Sequence, residues 1–514
     1  MTSTSMSDYP PTTVVSASPP TSVVADEKRD SVDTTIRMNL HSDGPYDHPD
    51  LLVSFLQTLS AFQDLVDSGA FVDVAQDTLR RGDDLSQERL QYNRYGSHQL
   101  KRHLLVTKTS SPVHFVLPGD STANTTDPQE VKALEIIAKK LQYKKWNFSE
   151  DPCSENGSWI KSRDKNNENL VSCNCTLDGD SFCHITQIFL KRQNLSGVIP
   201  PEFATLTYLE ELDLTRNYLN GSLPVELGSL VHLKNLSLGI NRLSGYIPKE
   251  FGNLSSLISL VLLSNNLSGR LPRQLAKLSA LKKLHIGSNQ FSGRIPISFS
   301  RFKVLNDFRA SSNNFEGEIP DFIAKWKKIS ILRLEASSLK GPIPSKFSSL
   351  INLKDLRISD LTGGGSDLSF VSNLKNLKIL VLRNALIYGD IRPVIGEFKN
   401  LKILDLGFNN LTGQIPDTFK TQRNKGYDLQ YLYLGNNTLT GNLNSWLGKI
   451  SHVDLSFNNY SVDFPSWVTR DTQLNLIGNS FKFNFSEERN EAYLQRNFKC
   501  NKRDRHCKLL VSIG

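Results

Sequence analysis

The chain has 514 residues, with 60 Lys or Arg against 52 Asp or Glu for a formal charge of +8, and 38% apolar residues. These figures exclude wholesale disorder, collagen and a polytopic membrane protein, and no run approaches the ~18 apolar residues that cross a bilayer. A charge of +8 over this length is too mild to imply a nucleic-acid partner.

Residues 1–126 read as a low-complexity, poorly ordered extension. Met1 to Asp30 is rich in Ser, Thr and Pro and lacks the ~7–15-residue apolar run of a signal peptide. Leu52, Phe55, Leu56, Leu59, Phe62 and Val66 fall at helical spacing and predict one amphipathic helix over 50–66. Residues 127–184 read as a helical, Cys-containing N-terminal cap. Asp127-Pro128-Gln129-Glu130 predicts a helix start, with Asp as N-cap, Pro at the first helical position and Glu closing a capping box. Val131, Leu134, Ile137 and Leu141 continue it at helical spacing.

An internal period then governs residues 185–481. The pattern apolar-x-x-apolar-x-apolar-x-x-Asn-x-apolar-x-Gly starts at Ile185 and returns every 24 residues, at Leu209, Leu233 and onward to Leu401. Later starts at Leu429, Ile450 and near Asp471 break the spacing, giving about thirteen units. Leu212-x-Leu214 predicts a short strand with both leucines on one side and Asp213 on the other. One unit cannot bury its own apolar face, so stacked copies must share a core. The Asn217–Asn241–Asn265–Asn289–Asn313 column suits a turn whose backbone groups need an amide partner. It lapses at Ser337, Leu361 and Ala385. The Ile-Pro pairs Ile199-Pro200, Ile247-Pro248, Ile295-Pro296 and Ile319-Pro320 suggest a short edge strand, where a missing N–H costs little.

The cysteines sit only in the caps: Cys153, Cys173, Cys175 and Cys183 before the repeats, Cys500 and Cys507 in the C-terminal cap at 482–514. Cys173, Cys175, Cys183 and His184 would suit zinc by donor type, but the spacing matches no common C-x2-C pair. Disulfides are the stronger reading, and they imply an oxidising compartment. Cap separation makes Cys500–Cys507 the natural pair and leaves three ways to join the other four. Sequons at Asn124, Asn147, Asn156, Asn174, Asn194, Asn220, Asn235, Asn253, Asn266, Asn410, Asn436, Asn459 and Asn484 are expected glycosylation sites.

The repeat resembles the plant-type leucine-rich repeat, LxxLxLxxNxLxGxIPxxLxxLxx. That resemblance implies an α/β-type leucine-rich repeat solenoid: a curved parallel sheet on the concave side, a second short sheet, and disulfide-linked caps. The Cys173-Asn174-Cys175 cap, residues 190–203, Leu212 to Leu219, Ile358 to Leu361 with Gly363–Gly365, and Leu494 to Phe498 are similar to plant leucine-rich-repeat receptor-like serine/threonine kinases of the malectin-containing subgroup. The resemblance implies a receptor ectodomain at the plasma-membrane outer face, ending about where a malectin-like domain would start. No kinase signature, signal peptide or transmembrane segment occurs in these residues.

Exposed strand positions form a column Phe189, Asp213, Ser237, Val261, His285, Arg309, Arg333, Arg357, Val381, Asp405, Tyr433, Asp454. Three consecutive arginines repel unless counter-charges or an anionic ligand stand near. Asp307, Glu335, Asp355 and Asp360 are candidates for the first role, giving a self-compensated ladder. An acidic or carboxylate-bearing peptide is the candidate for the second. No sequon falls between Asn266 and Asn410. The window so defined holds the candidate ligand-binding residues Lys283, His285, Arg309, Arg333, Arg357 and Arg383. On this reading Arg333→Glu is predicted to abolish ligand capture at a stability cost of no more than about 1 kcal/mol.

The function expected is therefore recognition of a peptide, cell-wall component or co-receptor, with no catalytic site, metal, cofactor or nucleic-acid partner. A soluble inhibitor resembling polygalacturonase-inhibiting proteins and a cytosolic scaffold are the alternatives.

Overall fold

Each copy of the repeat closes into one coil, and coils stack because none can bury its leucines alone. The computed structural model describes residues 125–154, 159–161, 169–177, 182–420, 429–468 and 474–482. All belong to one of two compact units, His48–Val511. The expected helix at 50–66, the rest of residues 1–124 and the Cys500–Cys507 pair lie outside the described residues.

In the coil that starts at Leu209, Leu212 and Leu214 are buried while Glu211 and Asp213 face out. Among the described residues, thirteen parallel strands build one long sheet, from Phe182–Leu190 through Glu211–Asp213 to Leu474–Asn475. The register keeps Phe189, Asp213, Ser237, Val261 and His285 side by side. It continues through Arg309, Arg333, Arg357, Val381, Asp405, Tyr433 and Asp454. This is the column the alternation of the sequence defines.

The asparagines bind coil to coil. Asn289 donates from Nδ2 to Leu262 O of the preceding coil (3.0 Å) and to Ile286 O of its own (3.2 Å). Its Oδ1 accepts from Leu267 N at 3.0 Å. The turn forces the residue before each asparagine into the left-handed region, even the β-branched Ile240 at φ 56°. Close stacking also fixes some glycines: a Cβ on Gly252 would stand 2.5 Å from the carbonyl oxygen of Gln274 in the next coil.

A second sheet of six strands runs from Ser196–Val198 to Asn314–Phe315. It then gives way to two separate pairs, Lys340–Gly341 with Thr362–Gly363 and Tyr388–Asp390 with Asn410–Thr412. The break falls where the asparagines lapse. Ser337 reaches only Leu334 O of its own coil (2.6 Å). Phe315 N therefore donates to the backbone oxygen of Ser337 (3.1 Å), where other coils offer an amide. The Ile-Pro pairs differ from expectation. Pro200 follows the strand Ser196–Val198 and leads into the 3-10 turn Pro201–Thr205 with φ −65°, so its fixed φ starts a turn and is not an edge-strand feature.

The N-terminal cap is helix α1, Pro128–Lys140, with Asp127 accepting from Gln129 N at 2.6 Å. Trp146 and Trp159 pack against each other at its end, ring centroids 5.2 Å apart. Glu130 does not close a capping box. It is buried, accepts from Ile185 N at 2.7 Å and meets His184 Nδ1 at 3.0 Å, locking the helix onto the first coil. Burial pushes its carboxyl above the ordinary range despite those two partners. Of the three possible cystine pairings, the cap adopts Cys153–Cys173 and Cys175–Cys183. The zinc alternative is thereby removed, since three of its ligands are consumed as disulfides.

Candidate functional site

The outward face of the long sheet carries the charged window. Lys283 and His285 lie on the strand Lys283–His285, Arg309 on Asp307–Arg309, Arg333 on Ile331–Leu334 and Arg357 on Asp355–Ile358. Arg383 lies two residues beyond Val381, off the central column.

The arginines alternate with carboxylates. Asp307 stands between His285 (Nε2 to Oδ2, 2.9 Å) and Arg309 (Nε to Oδ1, 3.0 Å). Asp355 stands between Arg333 (Nη2 to Oδ2, 2.8 Å) and Arg357 (Nε to Oδ1, 3.0 Å). Arg333, Arg357 and Asp355 are 7%, 6% and 6% exposed, so this triad is a buried part of the sheet face. Glu335 accepts from Ser311 Oγ at 3.3 Å, and Asp360 takes Ser359 Oγ and Asn384 Nδ2. Of the expected counter-charges, Asp307 and Asp355 therefore face arginines directly, whereas Asp360 bonds to neutral groups.

Three of the candidate residues reach solvent. Lys283 is exposed, and the side chains of Arg309 and Arg383 are 25% and 39% exposed. Arg383 lays its guanidinium 4.3 Å from the Phe408 ring centroid and 3.6 Å from Asp405 Oδ2. Burial of Arg333 against Asp355 argues against the small stability cost expected for Arg333→Glu, because the substitution strikes the buried triad.

Burial pushes the His285 imidazole below its ordinary pKa, against the pull of Asp307. Burial raises Asp307, but the bonds and charges of His285 and Arg309 outweigh it and the net direction is downward. A histidine lowered in the fold binds fewer protons than in the unfolded chain, so stability falls as pH drops through about 6.5. His285→Gln is expected to flatten that decline between about pH 7 and 5, by up to ~1.4 kcal/mol per pH unit. Melting temperatures across that range test this, and an unchanged slope contradicts it.

The Leucine Rich Repeat family matches residues 208–230, 232–254, 280–302, 400–421 and 428–450. The described coils have the fold of a leucine-rich-repeat solenoid. The chain is 45% identical over 98 residues to a probable LRR receptor-like serine/threonine-protein kinase of Arabidopsis thaliana, covering 18% of this chain and 10% of that protein. A second probable kinase of that type and organism is 44% identical over 119 residues, covering 22% and 11%. The chain thus spans about a tenth of the length of the curated relatives it matches. Among solved structures it is similar to the Arabidopsis receptor kinase HAESA in complex with the peptide hormone IDA and the co-receptor SERK1. Identity there is 27% and the TM-score 0.58, over 69% of this chain and 62% of that one. PEPR1 with AtPEP1 follows at 27% identity and TM-score 0.54, covering 68% and 52%.

Within the LRR coils the sequons separate by face. Asn235 stands on a long-sheet strand and Asn436 in the turn after Tyr431–Tyr433. Asn220 and Asn266 lie on second-sheet strands, and Asn410 on the separate pair Tyr388–Asp390 with Asn410–Thr412. Among the described residues no helix is long and apolar enough to cross a membrane, and no group of three His, Cys, Asp or Glu could hold a metal ion. The sequence reading missed the ring cluster at the far end of the face. Tyr431 stacks on His452 (4.9 Å, 17°) and lies 6.2 Å from Tyr433. The alternation Tyr431-x-Tyr433, with His452 next in register, was the available signal.

Proposed function

We propose that this chain is the extracellular ligand-recognition part of a plant LRR receptor-like kinase, and that it holds an acidic peptide on the long-sheet face. The observation that carries the reading is the sequon-free stretch between Asn266 and Asn410, where Lys283, Arg309 and Arg383 reach solvent above a buried Arg–Asp framework. Arg309 and Arg383, each held by a neighbouring carboxylate, lose little entropy on meeting a ligand carboxylate. In this reading Lys283 and Arg309 grip the ligand, while Arg333 and Arg357 position the strands beneath it. Similarity to HAESA, solved with a peptide hormone and a co-receptor, supports a peptide ligand and a partner receptor. The two cap disulfides and the sequons support a place outside the cytosol.

A random nonapeptide library with free C-termini, panned on the glycosylated chain, tests this. The wild type should enrich peptides bearing Asp, Glu or a free terminal carboxylate. Lys283→Glu with Arg309→Glu should weaken those binders at least about tenfold. Enrichment without acidic preference, or binding indifferent to the double variant, contradicts the proposal.

A further inference from the structure

Near the end of the long sheet one local arrangement, an aspartate with a phenylalanine three residues on, occurs twice, and only the first copy has its own arginine. In the first copy Arg383 belongs to one coil, and Asp405 and Phe408 to the next. Its guanidinium lies 3.6 Å from Asp405 Oδ2 and 4.3 Å from the Phe408 ring centroid. Gly407 N holds the carboxylate in place with a 2.9 Å bond to Oδ1. In the second copy Asp454 and Phe457 take the places of Asp405 and Phe408. Ser456 N fixes the Asp454 carboxylate with a 3.0 Å bond to Oδ1, as Gly407 N does for Asp405. The register Val381↔Asp405↔Tyr433↔Asp454 puts residue 435 where Arg383 stands. Residue 435 is glycine and offers no side chain. The Ser456 hydroxyl and the carboxylate both close over it, so that a Cβ there would stand 2.9 Å from Ser456 Oγ and 3.0 Å from Asp454 Oδ2.

We infer that Asp454 and Phe457 form a seat for a guanidinium supplied from outside the chain, an arginine side chain of the peptide held on this face. Arg383 shows within the same molecule what such a seat accepts. A planar guanidinium can lie on an aromatic ring and donate to a carboxylate at once, which a compact ammonium does less well. Phe457 is 43% exposed, comparable with Phe408 at 41%, so its ring is open to a partner. Tyr433 stands beside Asp454 in register where Val381 stands beside Asp405, adding a second aromatic wall. His452, two residues before Asp454, stacks on Tyr431. From Arg309 to Asp454 is six strand steps, roughly 29 Å, which about nine extended residues span. The ligand is then a peptide with a carboxylate toward Arg309, inside the sequon-free stretch, and an arginine about eight residues away that reaches beyond it, beside the Asn436 sequon.

The inference deepens the receptor reading, yet its seat can be tested without a known ligand. N-acetyl-arginine amide is titrated into the glycosylated chain, because the sequon at Asn436 borders Phe457, and tyrosine fluorescence is followed. Half-saturation is expected at roughly 1 mM, with none for the neutral N-acetyl-citrulline amide. Asp454→Asn, which removes the charge at constant shape, should weaken binding at least about tenfold. Gly435→Arg combined with Ser456→Gly, which clears the hydroxyl 2.9 Å from the new Cβ and matches Arg383 with Gly407, should abolish it by placing the chain's own guanidinium in the seat. A wild type that fails to discriminate arginine from citrulline, or an Asp454→Asn protein that binds as well as wild type, overturns the inference. Panning that shows no acidic preference would remove the receptor reading and leave the seat standing, so the two fail separately.

Discussion

Arg333→Glu is expected to destabilise the solenoid by about 4 kcal/mol, four times the cost the sequence alone suggested. Arg333 is only 7% exposed and its Nη2 lies 2.8 Å from Asp355 Oδ2. The substitution removes the cation and sets a second carboxylate against a buried one. Breaking a buried ion pair costs about 3–5 kcal/mol because the surviving charge keeps its desolvation penalty without its partner. Here Arg357 still holds Asp355 through Nε at 3.0 Å, which limits the loss. Arg333→Met, which leaves that contact and adds no charge, should cost about half as much. Urea denaturation of the two variants against wild type checks the order. Equal and small costs would mean that the triad is wetter than its geometry indicates. The expected destabilisation also changes how a binding defect is read: lost capture by Arg333→Glu would report a damaged sheet face, whereas Lys283→Glu and Arg309→Glu probe the ligand contact.

The second large effect is expected at Asn289. Asn289→Ala removes the acceptor for Leu267 N and the donor for Leu262 O and Ile286 O. Leu267 N is then a buried donor without its partner, which costs about 1–3 kcal/mol, whereas Leu262 O and Ile286 O keep the amides of Asn265 and Asn313. The total should be about 2 kcal/mol. Because stability in a stacked array is a nearest-neighbour sum, the loss falls on one interface between coils. Denaturation should therefore broaden, with the two sides of that interface melting apart. A sharp transition, shifted by less than about 1 kcal/mol, would contradict the bridging role. The lapse at Ser337 shows how the fold tolerates such a loss: Phe315 N turns to a backbone oxygen, and the second sheet ends there.

The long sheet was legible because its information is periodic. Leucines at fixed spacing determine which side is buried, so the column from Phe189 to Asp454 followed from alternation alone. What escaped the sequence depends on contacts between coils. Glu130 has the spacing of a capping box, yet the nearby Ile185 N and His184 draw its carboxylate into the cap–repeat junction. Arg309, Arg333 and Arg357 look alike in sequence. Asp355 sits between two of them and both are buried, while Arg309 shares the equally buried Asp307 with His285 and stays a quarter exposed. Nor does the sequence show that Gly435 matches Arg383, because 52 residues and a break in the period separate them. Only the strand register aligns them.

The most direct test of ligand capture on the long-sheet face is photo-crosslinking. An acidic nonapeptide recovered by panning, carrying a benzophenone at its centre, is irradiated with the glycosylated chain and the adducts are mapped by mass spectrometry. The account predicts adducts on outward-facing positions of the strands between Lys283–His285 and Ile403–Asp405. Adducts on the second-sheet flank around Tyr218 and Tyr246, or on the N-terminal cap, would contradict it.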